Sequence, residues 1–339
     1  MSMSKNLKSF LFYFLPLPTI FVSLFVGSSD QASLSEYVIF LYKQIASIPL
    51  SVSEANSWDM MNNIILNIRL PRVLLTFFIG AALSTSGVVL QAVLRNPLVD
   101  SYILGISAAA AFGASISLLF DILTTPIMAF LFGIISVVIT YLVAYQKGSY
   151  TIVSVVLAGM IVSGIFTALL SVAQYISNPF KLSAILQWTL GRLNAITWEE
   201  FKTDSIPITI GLLVIYILRW RLNILALGDE AAKAVGVNPT TDKVVLIGIV
   251  TLMTATSVAT AGIISMYGLF LPHIVRMIIG ADHKKLVVGS MLFGGTFLLI
   301  IDNFSRSLFE FEIPVGVFTM ILGGVYFIYL MKQNKLNWN

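Results

Sequence analysis

Long apolar segments with almost no charge follow one another along most of this chain. The segment 151–175, for example, contains no Asp, Glu, Lys or Arg. A helix that crosses a bilayer needs about 20 consecutive, mostly apolar residues. Of the 339 residues, 58% are apolar and 11% are charged, whereas soluble domains carry about 25% charged residues. The pattern therefore predicts an all-α polytopic membrane protein.

The hydropathy pattern predicts about ten transmembrane helices in a single transmembrane domain that covers residues 1–339. We interpret the first helix as retained, because no clear small-residue cleavage site follows it and many spans come after it. The predicted spans are 9–27, 70–90, 102–119, 125–145, 151–175, 205–221, 243–262, 266–280, 286–302 and 315–331.

Basic residues in the loops predict the orientation, because cytoplasmic loops carry an excess of Lys and Arg. With both termini in the cytoplasm, most of the 20 basic residues lie on the inner side. The outer side then holds Lys43, Arg69, Arg72, Lys181, Arg192, Lys202 and Arg306. Arg69, Arg72 and Arg306 lie near span ends on the outer side, where the excess of basic residues in cytoplasmic loops does not predict them. We therefore expect these three arginines to have a functional role.

An internal repeat relates LSTSGVVLQ, 83–91, to VATAGIISM, 258–266, at a constant offset of 175 residues (258 − 83). The offset also pairs Thr85 with Thr260, Gly87 with Gly262, Pro97 with Pro272 and Gly105 with Gly280. Since the second span runs inward and the seventh outward, the repeat is inverted, which is typical of transporters with broken helices. Small residues also recur in membrane helices for packing alone, which is the alternative.

The eighth span is too short to cross a bilayer. Residues 266–280 extend for about 22 Å at 1.5 Å per residue, against a hydrocarbon core of about 30 Å. We therefore expect the turn GIISMYG, 262–268, to lie at membrane depth and to face a cavity. His273 and His283 are ten residues apart on this segment, about 15 Å along a helix, so they cannot share a metal ion.

The chain has no phosphate-loop motif, so any ATP-driven motor is expected on another subunit. A self-powered ion-coupled carrier needs an ionisable residue deep in a span, and Asp302 is the deepest candidate; we interpret it as an interfacial residue.

The absence of cysteine excludes thiol chemistry and Cys-ligated metals. The net charge of +4 is scattered, which argues against a nucleic-acid partner. No pair of catalytic residues on facing spans indicates an intramembrane enzyme.

Six sequence blocks, in order, resemble the FecCD-type permeases, the membrane subunits of ABC importers for iron–siderophore complexes, haem and cobalamin. They are RLPR (69–72), GAALSTSGVVLQAVLRNPLVDSYILGIS (80–107), WTLGRL (188–193), LGDEAAKAVGV (227–237), GLFLPHIVRMIIGADHKK (268–285) and EIPVGVFTMILGG (312–324). The resemblance implies a type II importer permease of ten helices in the inner (plasma) membrane of a bacterium or archaeon. It also implies a second permease subunit, identical or related, and two ATPase subunits that hold ATP and Mg, leaving this chain without a cofactor or resident metal. An extracellular or periplasmic binding protein would deliver a metal chelate.

The resemblance also implies roles for individual residues. Arg69, Arg72 and Arg306 match arginines that dock the binding protein, the alternative being arginines that extend to lipid headgroups. The loop 227–238 matches the coupling helices that contact the ATPase, with Gly228, Asp229, Glu230, Ala231 and Gly236 as contact and turn residues; from spacing alone an ordinary loop is an equal alternative. Thr151 and Ser154 lie where the family has a cytoplasmic gate, and the translocation path is expected at Gly262, Tyr267, Gly268 and Pro272.

Departures from the family pattern leave the substrate open. Tyr267 stands in a turn that differs from the usual one, and it either faces the cavity or packs between helices. Trp188 and Arg192 either touch the ligand at the outer mouth or act as interfacial anchors. The expected path has no charged ring, so a metal would cross inside its chelator. A ferric siderophore is the leading candidate, followed by haem and cobalamin, and then by metal oxyanions.

Overall fold

The computed structural model describes residues 14–27, 33–145 and 150–332, and within these residues the fold is entirely helical. The α-helices are α1 Pro16–Ser23, α2 Leu34–Ile45, α3 Val52–Asn63, α4 Leu70–Val93, α5 Ile106–Phe120, α6 Thr125–Ala144, α7 Ile152–Tyr175, α8 Pro179–Thr189, α9 Trp198–Leu227, α10 Asp229–Ala234, α11 Pro239–Ala261, α12 Tyr267–Ile279, α13 His283–Ser307 and α14 Val315–Lys332. A π-helical segment, Ile64–Arg69, joins α3 to α4, and a 3-10 turn, Ser101–Leu104, precedes α5.

Nine of the predicted spans coincide with helices. Among the described residues, seven continuous helical segments are long and apolar enough to cross a membrane, and α5 and α12 are shorter apolar helices. Only part of the first predicted span is described, where α1 lies. The eighth span is confirmed as short, with 13 residues in α12. The prediction of an all-α, multi-pass membrane protein is therefore confirmed.

Besides α10, which lies in the predicted coupling loop 227–238, three helices lie outside every predicted span. Helices α2 and α3 follow α1, and α8 follows α7. Helix α3 begins at a capping box in which the Ser51 side chain accepts from the Glu54 backbone N–H and Glu54 accepts from the Ser51 backbone N–H. The segment 51–63 is too polar to be found by hydropathy, so caps are its main sequence signal.

The ion pairs agree with the predicted sidedness of the loops. The ion pairs given below each join two residues that the predicted spans place at the same end of the molecule. The pairs on the outer side are Lys43–Glu54, Lys181–Asp121, Arg72–Asp302, Arg72–Glu312 and Arg306–Asp302, and those on the inner side are Arg221–Asp242, Lys243–Asp229 and Arg95–Asp229. We call the two ends the Arg72 end and the α10 end.

Helix α4 forms the centre of the molecule. Twenty of its 24 residues are buried, and it packs against α9, α11, α12 and α13. Many of its buried residues are Gly, Ala, Ser or Thr, and such small side chains let neighbouring membrane helices approach closely. The stretch that carries much of the sequence resemblance is thus also the most buried part of the fold.

Candidate functional site: two polar ends and a broken helix

At the Arg72 end, one guanidinium holds three segments together. Arg72, on α4, donates to Asp302 of α13 from Nε at 3.1 Å and from Nη2 at 2.7 Å. It also donates to both carboxylate oxygens of Glu312, in the loop before α14, at 2.8 and 3.1 Å. Asp302 is completely buried, so its charge is compensated inside the protein rather than by water.

Arg69 and Arg306 point inward as well. Arg306 is 3% exposed and donates to the Ser23 carbonyl at 2.5 Å and to Asn303 at 2.6 Å. Arg69 is 5% exposed and donates to the Leu24 carbonyl at 3.1 Å. Like Arg72, these arginines are buried within the subunit, where they bind α1 and α13 to the rest of the chain, so their side chains are not on the surface in this structure. Their role in docking stays a prediction.

A cavity of about 360 Å³ opens at the same end, lined by Arg192, Asn194, Ser305 and Glu312 among others. Arg192 is exposed, and its backbone N–H donates to the Ala261 carbonyl at 2.7 Å. From the sequence, Arg192 was either a ligand contact at the outer mouth or an interfacial anchor, and its position beside this cavity was not predicted. Trp188 is 2% exposed and packs among small residues of α5, α6 and α11, so it neither touches a ligand at the mouth nor anchors the chain at the interface.

The helical path breaks between α11 and α12. Gly262 ends α11 with φ +70°, and Met266 precedes α12 with φ +61°. A Cβ atom on Gly262 would lie 2.2 Å from the Trp188 carbonyl oxygen, so only glycine fits this close approach. The break predicted for 262–268 is present, but it is packed against the segment after α8. Gly262 is buried and does not line an open path in this chain.

Three other predicted path residues are buried too. Tyr267 is completely buried, and its hydroxyl donates to the Gly294 carbonyl of α13. Of the two interpretations of Tyr267, packing between helices is therefore the correct one. Gly268 and Pro272 are buried in α12, and Gly268 packs against Leu83 and Gly87 of α4. These residues do not lie at the surface of the subunit in this conformation, and their place in the translocation path stays a prediction.

A polar network joins α12 to α4 where the two halves of the chain meet. Pro272 has no N–H, so it cannot donate to the Gly268 carbonyl one turn earlier. Gln91 of α4 donates to that carbonyl at 3.4 Å, and its own carbonyl oxygen accepts from Arg276 at 2.8 Å. Asp100 packs beside Gly268, and burial raises the pKa of Asp100 to about 6.

The predicted repeat is visible at one pair of positions. Gly105 and Gly280 both have positive φ, +81° and +95°, and both lie at helix boundaries. Gly87 is inside α4, whereas its mate Gly262 ends α11. Pro97 lies in a loop and Pro272 inside α12. The glycines and prolines that the repeat pairs therefore lie in corresponding regions of the two halves. Their positions relative to the helices, however, are not the same in each pair.

At the α10 end, a short helix projects between α9 and α11. Gly228, with φ +117°, ends α9 and precedes α10, and Gly236, with φ +79°, follows α10. Asp229, the first residue of α10, accepts from Lys243 of α11 at 2.6 and 2.8 Å and lies 3.8 Å from Arg95. These ion pairs fix the base of α10.

The opposite side of α10 is open. Glu230 and Gly236 are exposed, and Ala231 is half-buried. Asp229 is thus used to hold the helix, and Glu230 is the acidic residue that is free to meet a partner surface. The expected short helix is present in the predicted loop, with glycines at both ends as the sequence suggested.

Helix α7 begins at the predicted gate residues. Thr151 and Ser154 form a reciprocal cap, in which the Ser154 N–H donates to the Thr151 hydroxyl at 3.0 Å and the Thr151 N–H donates to the Ser154 hydroxyl at 3.1 Å. Their side chains therefore start the helix. Farther along, Gly164, Thr167 and Ser171 are exposed, and no atom lies within 4 Å of a Cβ built on Gly164.

The histidines are structural. His283 begins α13, and its backbone N–H and Nδ1 both lie within 2.9 Å of the Asn223 side-chain oxygen. Asn223 also donates to Asp282 at 2.8 Å, and this hydrogen bond lowers the pKa of Asp282. The ring of His273 packs edge-on against Tyr326. No group of three or more His, Cys, Asp or Glu residues that could hold a metal occurs within the described ranges.

The chain is similar to known transport proteins along most of its length. A model of the FecCD transport family matches residues 15–333. A molybdate import permease from Haemophilus influenzae is 36% identical, over 82% of this chain and 84% of that protein. A probable iron chelatin permease from Helicobacter pylori is 36% identical, over 80% and 83%. A solved metal-chelate type ABC transporter in an inward-facing conformation superposes with a TM-score of 0.84 at 32% identity, covering 97% of this chain and 100% of that one.

Proposed function

Since the chain belongs to the FecCD transport family, we propose that it forms half of the membrane passage of an importer for a metal chelate, with a ferric siderophore as the first candidate. As a member of this family the chain is a transport subunit, and the ATPase is a separate subunit. Haem and cobalamin are the next candidate substrates. The alternative transport mechanism, ranked last, is that of an ion-coupled carrier.

The exposed face of α7 is the observation that carries this proposal. Exposed faces of other peripheral helices are bulky: α9 presents Ile210, Leu213 and Ile217, as expected against lipid chains. Helix α7 also exposes bulky side chains, such as Ile161 and Val172, but one stripe on it, formed by Gly164, Thr167 and Ser171, is small and weakly polar. Its residues 152–175 contain no charged side chain and no His or Cys.

Such a surface suits a bulky cargo that must not bind tightly. A bare metal ion needs ligands such as carboxylate, imidazole or thiolate, which the exposed stripe of α7 does not offer. A chelate brings its own ligands and needs mainly room. Two subunits that face each other through this stripe would enclose a wide neutral passage.

We place the ATPase contacts at the α10 end and the binding protein at the Arg72 end. Helix α10 is anchored at its base and open at Glu230, as a coupling element requires. At the other end, Arg192 is an exposed cation beside the cavity, suited to carboxylates of a partner. Arg69, Arg72 and Arg306 hold the loops beneath this surface. With this orientation, the proposal includes cytoplasmic termini and a location in the inner membrane.

The test is reconstitution of the permease in lipid with its ATPase and binding protein, followed by measurement of ATP hydrolysis. The binding protein is loaded in turn with a ferric siderophore, haem, cobalamin or molybdate. We expect the ferric siderophore to stimulate hydrolysis and ATP-dependent uptake. Stimulation by molybdate alone would overturn the chelate proposal, and uptake that continues without ATP but stops with a protonophore would favour the ion-coupled carrier.

A further inference from the structure

We propose that the α10 end holds an anionic phospholipid, with its headgroup beside Lys233 and one acyl chain in the groove between α6 and α11. The first observation is a cavity of about 420 Å³ at this end. It lies between the end of α6, the beginning of α7, α10 and the beginning of α11. Its polar lining includes Asp229, Lys233, Thr240 and Lys243.

A second, apolar groove continues from this cavity. Its volume is about 290 Å³, and its lining includes Val138, Leu142 and Gly248. The two spaces share Tyr141, Tyr150, Val244 and Ile247. They therefore form one continuous depression, polar at the α10 end and apolar toward the middle of the helices.

Polarity changes in the same direction along both walls. On α11, Lys243 is followed by Val244 and then, about 7 Å farther along the axis from Lys243, by Gly248. On α6, which runs the other way, Tyr145 lies near the polar end and Val138 lies deeper. A phospholipid changes from polar to apolar in the same order, from its headgroup through the glycerol region to the acyl chain. A wholly soluble ligand or a bare hydrocarbon has no such change in polarity and would fit only one end of the depression.

The charge at the polar end is complementary to a phosphate. Asp229 is compensated by Lys243 and Arg95, which leaves these three groups with a net positive charge. Lys233 is exposed and has no carboxylate within 4 Å among the described residues. A cluster of basic residues next to a membrane attracts anionic lipids, and the cavity concentrates that attraction at one point.

The tyrosines and the exposed apolar side chains complete the fit. The Tyr150 ring lies 5.5 Å from that of Tyr141 and 5.1 Å from that of Tyr145, centroid to centroid. Tyr is favoured where a membrane meets water. Leu142 and Val244 are 72% and 58% exposed in the subunit, and no Cβ contact occurs at Gly248, so a hydrocarbon chain can cover this wall without displacing protein.

The experiment is native mass spectrometry of the full-length chain in detergent, titrated with phosphatidylglycerol or phosphatidylcholine. We expect phosphatidylglycerol to bind more tightly and Lys233→Gln to weaken it about fivefold, the loss expected for one basic residue near an anionic surface. Gly248→Leu, which fills the groove, should weaken it as well. Lys202→Gln, at the Arg72 end, and Ala226→Leu, at an exposed position of α9, are the matched controls.

Equal binding of the two lipids, or unchanged binding in both Lys233→Gln and Gly248→Leu, would overturn the proposal, because it would indicate lipid that only surrounds the protein. Competition by glycerol phosphate at the same concentration as the lipid would also overturn it, since the site would then take a soluble anion. Thermal unfolding of each variant checks that the fold is intact. A loss confined to the two site variants supports the bound phospholipid.

Discussion

A Cβ atom built on Gly87 would lie 1.8 Å from the carbonyl oxygen of Gly268. This contact joins α4, which carries the first copy of the predicted repeat, to α12, which directly follows the second copy at 258–266. It also lies next to the hydrogen bond from Gln91 to Gly268. The broken segment after α11 is thus held against the most buried helix of the fold by backbone contact rather than by large side chains.

Gly87→Ala is expected to destabilise the protein, because a methyl group cannot fit without separating the two helices. Overpacking of a close-packed site costs about 1–3 kcal/mol, and a backbone obstacle places this substitution at the upper end of that range. Gly248→Ala is the control, since a Cβ there meets no atom within 4 Å. Thermal unfolding in detergent should show a lower Tm for Gly87→Ala only; equal Tm values for the two variants would contradict the contact.

The buried ion pairs at the Arg72 end give a second prediction. Asp302→Asn leaves Arg72 and Arg306 buried with less compensating charge, and breaking a buried pair costs about 3–5 kcal/mol. We expect a large loss of folded protein in fluorescence-detected size exclusion. Glu310→Gln, a nearby exposed position, should stay within about 0.5 kcal/mol of the parent. If Asp302→Asn is as stable as Glu310→Gln, the cluster does not hold these segments together.

The sequence predicts a feature of this structure where neighbouring residues determine it, and does not predict it where residues distant in sequence determine it. Hydropathy located the helix that contains Gly87 because a run of apolar and small residues is a local property. The family blocks likewise located Gly228 and Gly236 at the ends of α10. The inward direction of Arg306 was not predictable in this way, since it depends on the carbonyl of Ser23, which lies on another helix and is distant in sequence. The same reason applies to Tyr267, whose partner on α13 is distant in sequence.

The anchoring of α10 gives a third prediction. Asp229→Asn weakens the ion pairs to Lys243 and Arg95 and should let α10 move relative to α11. In the reconstituted importer we expect basal ATP hydrolysis to remain while stimulation by the loaded binding protein falls several-fold. Asp121→Asn, at an exposed residue of the opposite end, is the control. Full stimulation in Asp229→Asn would show that these pairs are not needed for coupling.

Docking of the binding protein gives a fourth prediction, now centred on the exposed Arg192. Charge reversal in Arg192→Glu should lower capture of the immobilised binding protein about tenfold, because one attractive contact becomes repulsive. Its Tm should stay unchanged, since the Arg192 backbone, not its side chain, donates to Ala261. Lys202→Glu, also exposed at that end, controls for overall charge. Capture that falls equally in both variants would indicate general electrostatics rather than a contact at Arg192.

The proposed passage gives the last prediction. Gly164→Trp adds a large ring to the small, weakly polar stripe of α7, where a Cβ meets no atom of the same subunit. The subunit should therefore fold normally, while two facing rings would narrow the passage and reduce ATP-dependent uptake by at least about tenfold. Leu213→Trp, on the bulky exposed face of α9 that we assign to lipid, should leave uptake nearly unchanged. Uptake is measured in proteoliposomes with equal amounts of folded complex. If Gly164→Trp transports as well as Leu213→Trp, the stripe of α7 does not line the path, and a chelate must cross elsewhere.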